Sequence, residues 1–318
     1  MPSYLKTFAF PNGKLTISSH LHLPEAFDEN ASSPALVISA PGSSVKEQIS
    51  AIYAEKLASQ GFVVLTFDPS CQGASEGVPR GLEDPGRRIE DLKCAADALT
   101  SLPGVDASRI GLLGICAGGG YAVQAALTDP RFRALGTVVA TNIGAAFRRM
   151  LPPEKREQLL SEVAAQRSAQ AAGADQKTVP WIPDSLEDAD ASGIADPDIL
   201  EAVAFYRHSA WRHENATNRL DFCSFGQLLG FDALQVVPEL LTQPLLVIAN
   251  GRDGSTGAKG DSQALFDLAP SEDKRIVSVE GAGHYEMYHV PAYVDQAVSE
   301  LTTFFQTQLV NKHIIMTP

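Results

Sequence analysis

Gly114-Ile115-Cys116-Ala117-Gly118 lies in the first half of this 318-residue chain, between the apolar run 109–113 and the small-residue run 118–122. A short apolar run, a nucleophile flanked by glycines and then helix-forming residues predict a strand, a sharp turn and a helix. This is the pattern of a nucleophile elbow, G-x-S-x-G, with cysteine in place of serine. The backbone at the tip of such a turn is strained, so its neighbours must be small. A buried structural cysteine in a glycine-rich turn is the alternative interpretation.

The chain before and after the elbow alternates between apolar strands and amphipathic helices. Two strands joined by Asn12-Gly13 predict an antiparallel hairpin at one edge of a sheet. The later segments follow the order β-α-β-α-β-α-β with short connections, which favours a parallel, doubly wound sheet. The predicted strands cover residues 5–10, 15–23, 35–39, 62–67, 110–115, 134–140, 244–249 and 276–279. The predicted fold class is therefore α/β, with a mostly parallel sheet.

The alternation stops from Asn142 to about Gln243, where helical pieces and irregular links replace the strands. We predict an α/β core made of residues 1–141 and 244–318, with residues 142–243 inserted as a helical lid. Open α/β sheets bind ligands at the carboxyl ends of their strands, where such a lid would lie. Six aromatic side chains of the insertion either line an acyl pocket or fill the core of the lid itself: Trp181, Phe205, Tyr206, Trp211, Phe222 and Phe225.

Two further polar residues follow predicted strands downstream of the elbow. Asp253 comes just after strand 244–249, and His284 lies in a glycine-flanked loop after the last strand. The order nucleophile, acid, histidine is the one that accompanies a nucleophile elbow, and other known triads have different orders. This order therefore favours Cys116, Asp253 and His284 as a catalytic triad. Asp68 is better interpreted as a carboxylate that braces its loop, and His289 lies too late in the chain to be the first choice of base.

The turn after strand 35–39 is a second candidate part of the site, because a nucleophile that attacks a carbonyl group needs donors for the oxyanion that forms. Backbone N–H groups at the end of such a strand, together with the N–H that follows the nucleophile, stabilise a developing oxyanion. We predict Ser43 and Ala117 as these two donors, with Ser44 as a close rival for the first position. The alternative is a loop whose serines cap the next helix.

The charge and residue composition of the chain limit the kinds of molecule that the protein is expected to bind. The formal net charge of −13 is unfavourable for binding nucleic acid or an anionic membrane surface, so we expect a small-molecule substrate. No run reaches 18 apolar residues and the first residues do not resemble a signal peptide, which favours a cytoplasmic protein. The four cysteines form no CxxC pair and are expected to be reduced. No metal or cofactor is expected, because His20 and His22 have no third ligand in view.

The whole pattern resembles the α/β-hydrolase fold of the dienelactone-hydrolase type, and within it the fungal polyketide thiohydrolases and acyltransferases with their bacterial relatives. The resemblance covers nearly the whole chain. Four blocks carry it: Pro41-Gly42 with Val45-Lys46-Glu47-Gln48, Gln72-Gly73 with 79–85, 114–121, and 281–288 with 291–295. The family often has a histidine before Pro41, where this chain has Ala40, and its acid residue varies.

This resemblance implies an enzyme that takes a polyketide acyl chain from the phosphopantetheine thioester of a carrier protein. Water would then release the chain as an acid, and a hydroxyl would release it as a lactone or an ester. A dienelactone-type or carboxylester hydrolase that acts on a free small ester is a second hypothesis. A ligand-binding protein without activity, or a thiol redox sensor based on Cys116, is a third. A homodimer is compatible with each of them.

Overall fold

One eight-stranded sheet dominates the computed structural model, which describes residues 3–311. Its strand order is β1-β2-β4-β3-β5-β6-β9-β10. The β1–β2 and β2–β4 pairs are antiparallel, and all the other pairs are parallel. The strands are β1 (Ser3–Asn12), β2 (Leu15–Pro24), β3 (Ser33–Ser39), β4 (Val63–Phe67), β5 (Val105–Ile115), β6 (Phe132–Val138), β7 (Thr178–Val179), β8 (Leu220–Asp221), β9 (Leu245–Asn250) and β10 (Lys274–Val279). The mostly parallel α/β sheet with an antiparallel edge is confirmed.

Helices cover both faces of this sheet, and two buried apolar clusters lie between helices and strands. One cluster joins the sheet to α2, α3 and α10, and the other joins it to α1 and α12. The helices are α1 (Ile49–Ala58), α2 (Pro85–Thr100), α3 (Ala117–Thr128), α4 (Ile143–Met150), α5 (Pro153–Ala171), α6 (Leu186–Ala191), α7 (Pro197–Val203), α8 (Ser224–Gly230), α9 (Val237–Leu240), α10 (Ala258–Leu268), α11 (Glu286–His289) and α12 (Pro291–Gln306). Short π-helical turns follow α7 and α12. Among residues 3–311, no helix has the length and apolar character required to cross a bilayer.

The segment between β6 and β9 contains α4 to α9 and the small two-stranded sheet β7–β8. This segment, residues 142–243, is called the insertion below. Its bounds as a separate lid stay a prediction, and the outer limits of the predicted core, residues 1 and 318, lie outside the described residues.

The start of α2 illustrates how local sequence sets an element. Asp84 has an extended backbone, and its Oδ1 accepts hydrogen bonds from the N–H groups of Gly86 and Arg87 at 2.8 and 3.4 Å. Pro85 occupies the first helical position, where a missing N–H costs nothing. An aspartate followed by proline therefore begins this helix.

The parallel strands place their carboxyl ends along one edge of the sheet. Cys116 directly follows β5, the Ser43 loop follows β3, and Thr141 comes shortly after β6. The loops that carry Asp253 and His284 follow β9 and β10. All five segments thus converge on one region, although they are far apart in the sequence.

Helix α3 packs very closely against the end of β3 at Gly118. A Cβ atom on Gly118 would lie 2.2 Å from the carbonyl oxygen of Ser39 and 2.5 Å from that of Ala40. Both atoms belong to the backbone and cannot rotate away. Glycine is therefore required here by packing, and the close approach fixes the elbow against the loop that carries Ser43.

We expect Gly118→Ala to lower the free energy of unfolding by about 2–3 kcal/mol, because the methyl group forces α3 away from β3. Gly260→Ala is the matched control, since no heavy atom lies within 4 Å of its ideal Cβ position inside α10. That control should raise stability by roughly 0.5–1 kcal/mol, as alanine replaces glycine in a helix. Urea unfolding measures both variants, and equal midpoints for Gly118→Ala and wild type would contradict the packing argument.

Candidate active site

Cys116 adopts a left-handed backbone conformation, with φ 56° and ψ −126°. Its N–H donates to the carbonyl of Val138 at 3.0 Å. Its own carbonyl accepts from the N–H groups of Gly119 at 2.8 Å and Thr141 at 2.9 Å. Hydrogen bonds on both sides therefore hold the strained turn between β5 and α3, and the thiol projects beyond the end of the strand.

The sulfur opens into a cavity of about 210 Å³ between the sheet edge and the insertion. Side chains of the insertion form most of its wall, and they are mainly apolar. The lining includes Ile143, Ala146, Phe147, Met150, Trp181, Ile182, Ile199, Tyr206, Arg207 and Ala216 from the insertion, with Tyr285 and Tyr288 from the last loop. An apolar cavity above a nucleophile suits an organic chain.

His284 lies beneath the cavity wall and is 1% exposed. Its Nε2 is 3.1 Å from the hydroxyl of Tyr288, and its Nδ1 is 3.3 Å from Oγ1 of Thr256. The Tyr288 hydroxyl also lies near enough to the thiol of Cys116 to lower its pKa. Tyr288 therefore lies near both Cys116 and His284.

Burial controls the charge of both groups. It raises the pKa of the Cys116 thiol, and hydrogen bonds from Tyr288, the Ala117 N–H and Thr141 only partly oppose this effect. Burial also lowers the pKa of His284 to about 3. At neutral pH the site therefore holds a neutral thiol and a neutral imidazole. The helix N-terminus at Cys116, which by itself favours a thiolate, does not outweigh the desolvation.

Asp253 does not lie beside His284. Its side chain is 90% exposed and pairs with Nζ of Lys259 at 3.3 Å. The loop after β9 turns this carboxylate outward, and Thr256 instead faces the imidazole Nδ1. Within residues 3–311, no carboxylate oxygen forms an ion pair with His284. The structure therefore brings together Cys116 and His284 from the predicted triad but not Asp253.

A buried carboxylate of the insertion supports the residue that faces Nδ1. Asp198, at the start of α7, is 6% exposed, and its Oδ2 accepts the N–H of Thr256 at 3.1 Å. A side chain on Gly254 would collide with Asp198, since its Cβ would lie 2.2 Å from Oδ2. The loop carrying Thr256 is thus fitted to the insertion, and Asp198 connects the insertion to the surroundings of His284.

The predicted oxyanion donors face the same cavity as the sulfur. Ser43 and Ala117 both line the cavity, and Ser43 has a left-handed backbone with φ 60°. The N–H of Ser44 instead donates to the Pro41 carbonyl at 3.4 Å within the loop. The geometry therefore favours Ser43 over Ser44 as the donor from this loop.

A buried ionic cluster braces that loop from below. The Arg88 guanidinium donates to the carbonyl of Ala40 and lies 3.8 Å from the Glu83 carboxylate. Glu83 also accepts from the Tyr121 hydroxyl at 2.7 Å and from Nε2 of Gln72 at 2.6 Å. Each carboxylate oxygen of Glu83 thus accepts a hydrogen bond, as a buried charge requires, whereas Nη1 of Arg88 is buried without a hydrogen-bond partner among the described residues. The cluster fixes the path of the chain into Pro41.

The structure also shows where several other residues discussed in the sequence analysis lie. Asp68 accepts from the backbone N–H of Lys46 and of Ala74 at 2.8 and 2.7 Å, which is the loop-bracing role. His289 contacts the Tyr285 carbonyl and has no place beside the sulfur. Of the six aromatic residues of the insertion, Trp181 and Tyr206 line the cavity, Phe205 is 1% exposed in the core and Trp211 is 39% exposed.

Sequence reasoning missed Tyr288, Thr256 and Asp198. Tyr288 follows His284 by one helical turn, and this spacing was the available signal. Thr256 lies three residues beyond the predicted acid, so the correct loop was identified but not the side chain. Asp198 belongs to the insertion and carries no sequence signal for its position.

Comparisons with known proteins identify the family of the chain. Residues 31–288 match the family model Hydrolase_4, described as serine aminopeptidase, S33. The chain is 38% identical over 302 residues to the uncharacterized protein YcjY of Escherichia coli, which covers 94% of this chain and 96% of the relative. It is 31% identical to the thiohydrolase aneE of Aspergillus aculeatus, over 85% and 83% of the two chains. It is 27% identical to the polyketide transferase claH of Penicillium crustosum, over 90% and 92%.

Protonation of His284 should make stability depend on pH. The unfolded imidazole takes up a proton as pH falls below about 6.5, whereas the folded one stays neutral down to about 3. This contribution is complete above pH 6.5 and is lost as pH falls through that window. We expect wild type to lose about 2 kcal/mol more than His284→Gln between pH 7 and pH 5. Urea unfolding at the two pH values checks this, and identical losses would contradict a buried neutral histidine.

Proposed function

Because the chain belongs to the Hydrolase_4 family of α/β-hydrolase enzymes, we propose that it transfers acyl groups through a thioester formed on Cys116. One observation carries this proposal: the Cys116 thiol stands at the tip of the elbow, at the base of an apolar cavity. His284, which can take the proton of the thiol, is hydrogen-bonded to Tyr288, and Tyr288 also lies near the sulfur. A nucleophile, a base and an organic-chain cavity together are what acyl transfer requires.

The proposed first step acylates the enzyme. The Cys116 sulfur attacks the carbonyl carbon of the donor, and the proton of the thiol ends on His284. The N–H groups of Ser43 and Ala117 stabilise the negative charge that develops on the carbonyl oxygen. The carbon–leaving group bond then breaks, and His284 returns the proton to the departing group. Neither ring nor sulfur has to be charged before the substrate arrives.

The donor we propose is a thioester, specifically a polyketide acyl chain on the phosphopantetheine of a carrier protein. Exchange of one thioester for another is nearly thermoneutral. The free-energy change for transfer of the acyl chain to a cysteine is therefore close to zero. The names of two fungal relatives, a thiohydrolase and a polyketide transferase, support this choice. The mainly apolar wall around Phe147, Met150 and Ile199 suits a hydrocarbon-rich chain.

The second step releases the chain from the sulfur. Attack by water gives an acid, attack by a hydroxyl of the same chain gives a lactone, and attack by another molecule gives an ester. We assign residues 142–243 as a lid on the core formed by residues 1–141 and 244–318. This lid supplies most of the cavity wall and therefore controls which nucleophile reaches the acylated sulfur.

Incubation with an acyl thioester should add one acyl mass to the wild-type protein and none to Cys116→Ala. The adduct should map to the peptide that contains Cys116, as read by intact-mass and peptide mass spectrometry. Cys94→Ala is the matched control, because Cys94 is buried in α2, away from the cavity. It should acylate like wild type. An adduct that survives in Cys116→Ala would overturn the assignment of the nucleophile.

The residue that orients His284 can be tested separately. Since Thr256 faces Nδ1 and Asp253 faces Lys259, we expect Thr256→Val to lower kcat/KM for the thioester about tenfold. Asp253→Asn should change it by less than about twofold. Steady-state kinetics with one thioester measures both. A large loss in Asp253→Asn with little effect of Thr256→Val would instead establish Asp253 as the third member of a triad, as the sequence pattern predicts.

A further inference from the structure

The cavity above Cys116 contains a cationic side chain in a mainly apolar wall. Among the described residues that line the cavity, Arg207 carries the only formal positive charge, and none is an aspartate or a glutamate. The side chain of Arg207 is 18% exposed, so most of it is shielded from solvent. A shielded cation is unfavourable unless a partner compensates it, so the partners of Arg207 decide what this group can bind.

Arg207 belongs to the π-helical turn Ala204–His208, which follows α7 in the insertion. Phe205 of this turn is buried, and its ring centroid lies 5.4 Å from that of Tyr288. The next two residues, Tyr206 and Arg207, both line the cavity. π-Helical turns occur frequently at functional sites. The anchored turn therefore presents a phenol and a guanidinium group to the same cavity.

Both of these side chains have a polar atom without a partner. The Tyr206 hydroxyl oxygen and Nε of Arg207 are buried, and neither forms a hydrogen bond with any described residue. Nη1 of Arg207 donates to the Ala216 carbonyl at 3.3 Å, which fixes one edge of the guanidinium group and leaves Nε unused. Buried polar atoms in native proteins are nearly always paired. An acceptor oxygen of a ligand in the cavity would pair both atoms.

The ionic surroundings of Arg207 leave positive charge in excess. Among the described residues, Asp184 forms an ion pair with it, but Oδ1 of Asp184 lies 3.8 Å from Nη2, beyond hydrogen-bond distance. Arg219 donates to both oxygens of Asp184 at 3.0 and 2.9 Å, and Asn218 also donates to Oδ1 at 2.9 Å. Two guanidinium groups thus share one carboxylate. This excess favours an anionic ligand over a neutral one.

We propose that Arg207, assisted by Tyr206, binds a carboxylate carried by the acyl chain, so that the substrate is an acyl thioester with a second, acidic group. This inference rests on the proposed function, in which the cavity holds the chain that is transferred to Cys116. Nε and Nη2 of the guanidinium fork donate to the carboxylate oxygens, and the phenol donates to one of them. The apolar wall contacts the hydrocarbon between the two ends of the chain.

The test measures binding to the full-length Cys116→Ala protein, which lacks the proposed nucleophile, by isothermal titration calorimetry. The probes are N-acetylcysteamine monothioesters of succinic, adipic and suberic acid, and each is compared with its methyl ester at the free carboxyl end. We expect the acid of the best-fitting length to bind at least about tenfold more tightly than its ester. These probes contain no phosphate, so the preference reports the acyl chain alone.

The preference should depend on Arg207. Adding Arg207→Met should weaken binding of the acid at least about tenfold and change binding of the ester by less than about twofold. Adding Tyr206→Phe should weaken binding of the acid about threefold. Arg212→Met is the matched control, because Arg212 is an exposed residue of the insertion that does not line the cavity. This control removes the same charge and should keep the full preference for the acid.

The outcomes separate carboxylate binding from other roles of Arg207. Equal affinities for acid and ester at all three lengths overturn the inference, and so does a preference that survives Arg207→Met. Equal weakening of both probes by Arg207→Met also overturns it, in favour of a packing role. A dependence on Arg207 that appears only with coenzyme A thioesters overturns it in favour of a phosphate of the pantetheine arm. Failure of the proposed function is distinct: the protein with Cys116 intact would then form no acyl adduct, whatever the calorimetry shows.

Discussion

The structure of the site depends on one constraint, the left-handed backbone of Cys116 at φ 56°. A non-glycine residue in this conformation costs about 1–3 kcal/mol and persists only when its surroundings hold it. Here the hydrogen bonds to Val138, Gly119 and Thr141 do so, and Gly118 lets α3 approach the end of β3. The turn aims the sulfur away from the sheet and, in the same step, brings the Ala117 N–H and the Ser43 loop to its side.

Burial is the second determinant, and it acts on the charge of the site. A pre-formed ion pair of thiolate and imidazolium would require solvation that this pocket does not supply, since burial raises the pKa of Cys116 and lowers that of His284. The resting site is instead neutral, with the Thr141 hydroxyl beside the sulfur and the Tyr288 hydroxyl beside the imidazole. Charge is placed below it, in the Glu83–Arg88 cluster, where each charge has partners and holds the loop before Pro41. The site thereby combines a rigid ionic support with a reacting centre that ionises only during the reaction.

The sequence predicted the sheet and the elbow because both follow from local pattern. Apolar runs, Asn12-Gly13 and the Asp84-Pro85 cap determine their elements within a few residues, and the strand order places the Cys116 and His284 loops at the same edge. The side chain that faces Nδ1 could not be predicted in this way. Whether Asp253 or Thr256 turns inward depends on Lys259 and on Asp198, which belong to other elements. Likewise, the neutral state of the site follows from burial by the insertion, which local sequence does not report.

The central claim is that the acyl chain passes through a covalent acyl-enzyme, and product partitioning tests it most directly. The same acyl group is supplied once as a thioester and once as an oxoester, each in the presence of a fixed concentration of an added alcohol. A common acyl-enzyme no longer contains the original leaving group, so the ratio of ester to acid formed must be the same from both donors. The account predicts equal ratios. Ratios that depend on the donor would contradict it, since the leaving group would then still be present when the second nucleophile attacks.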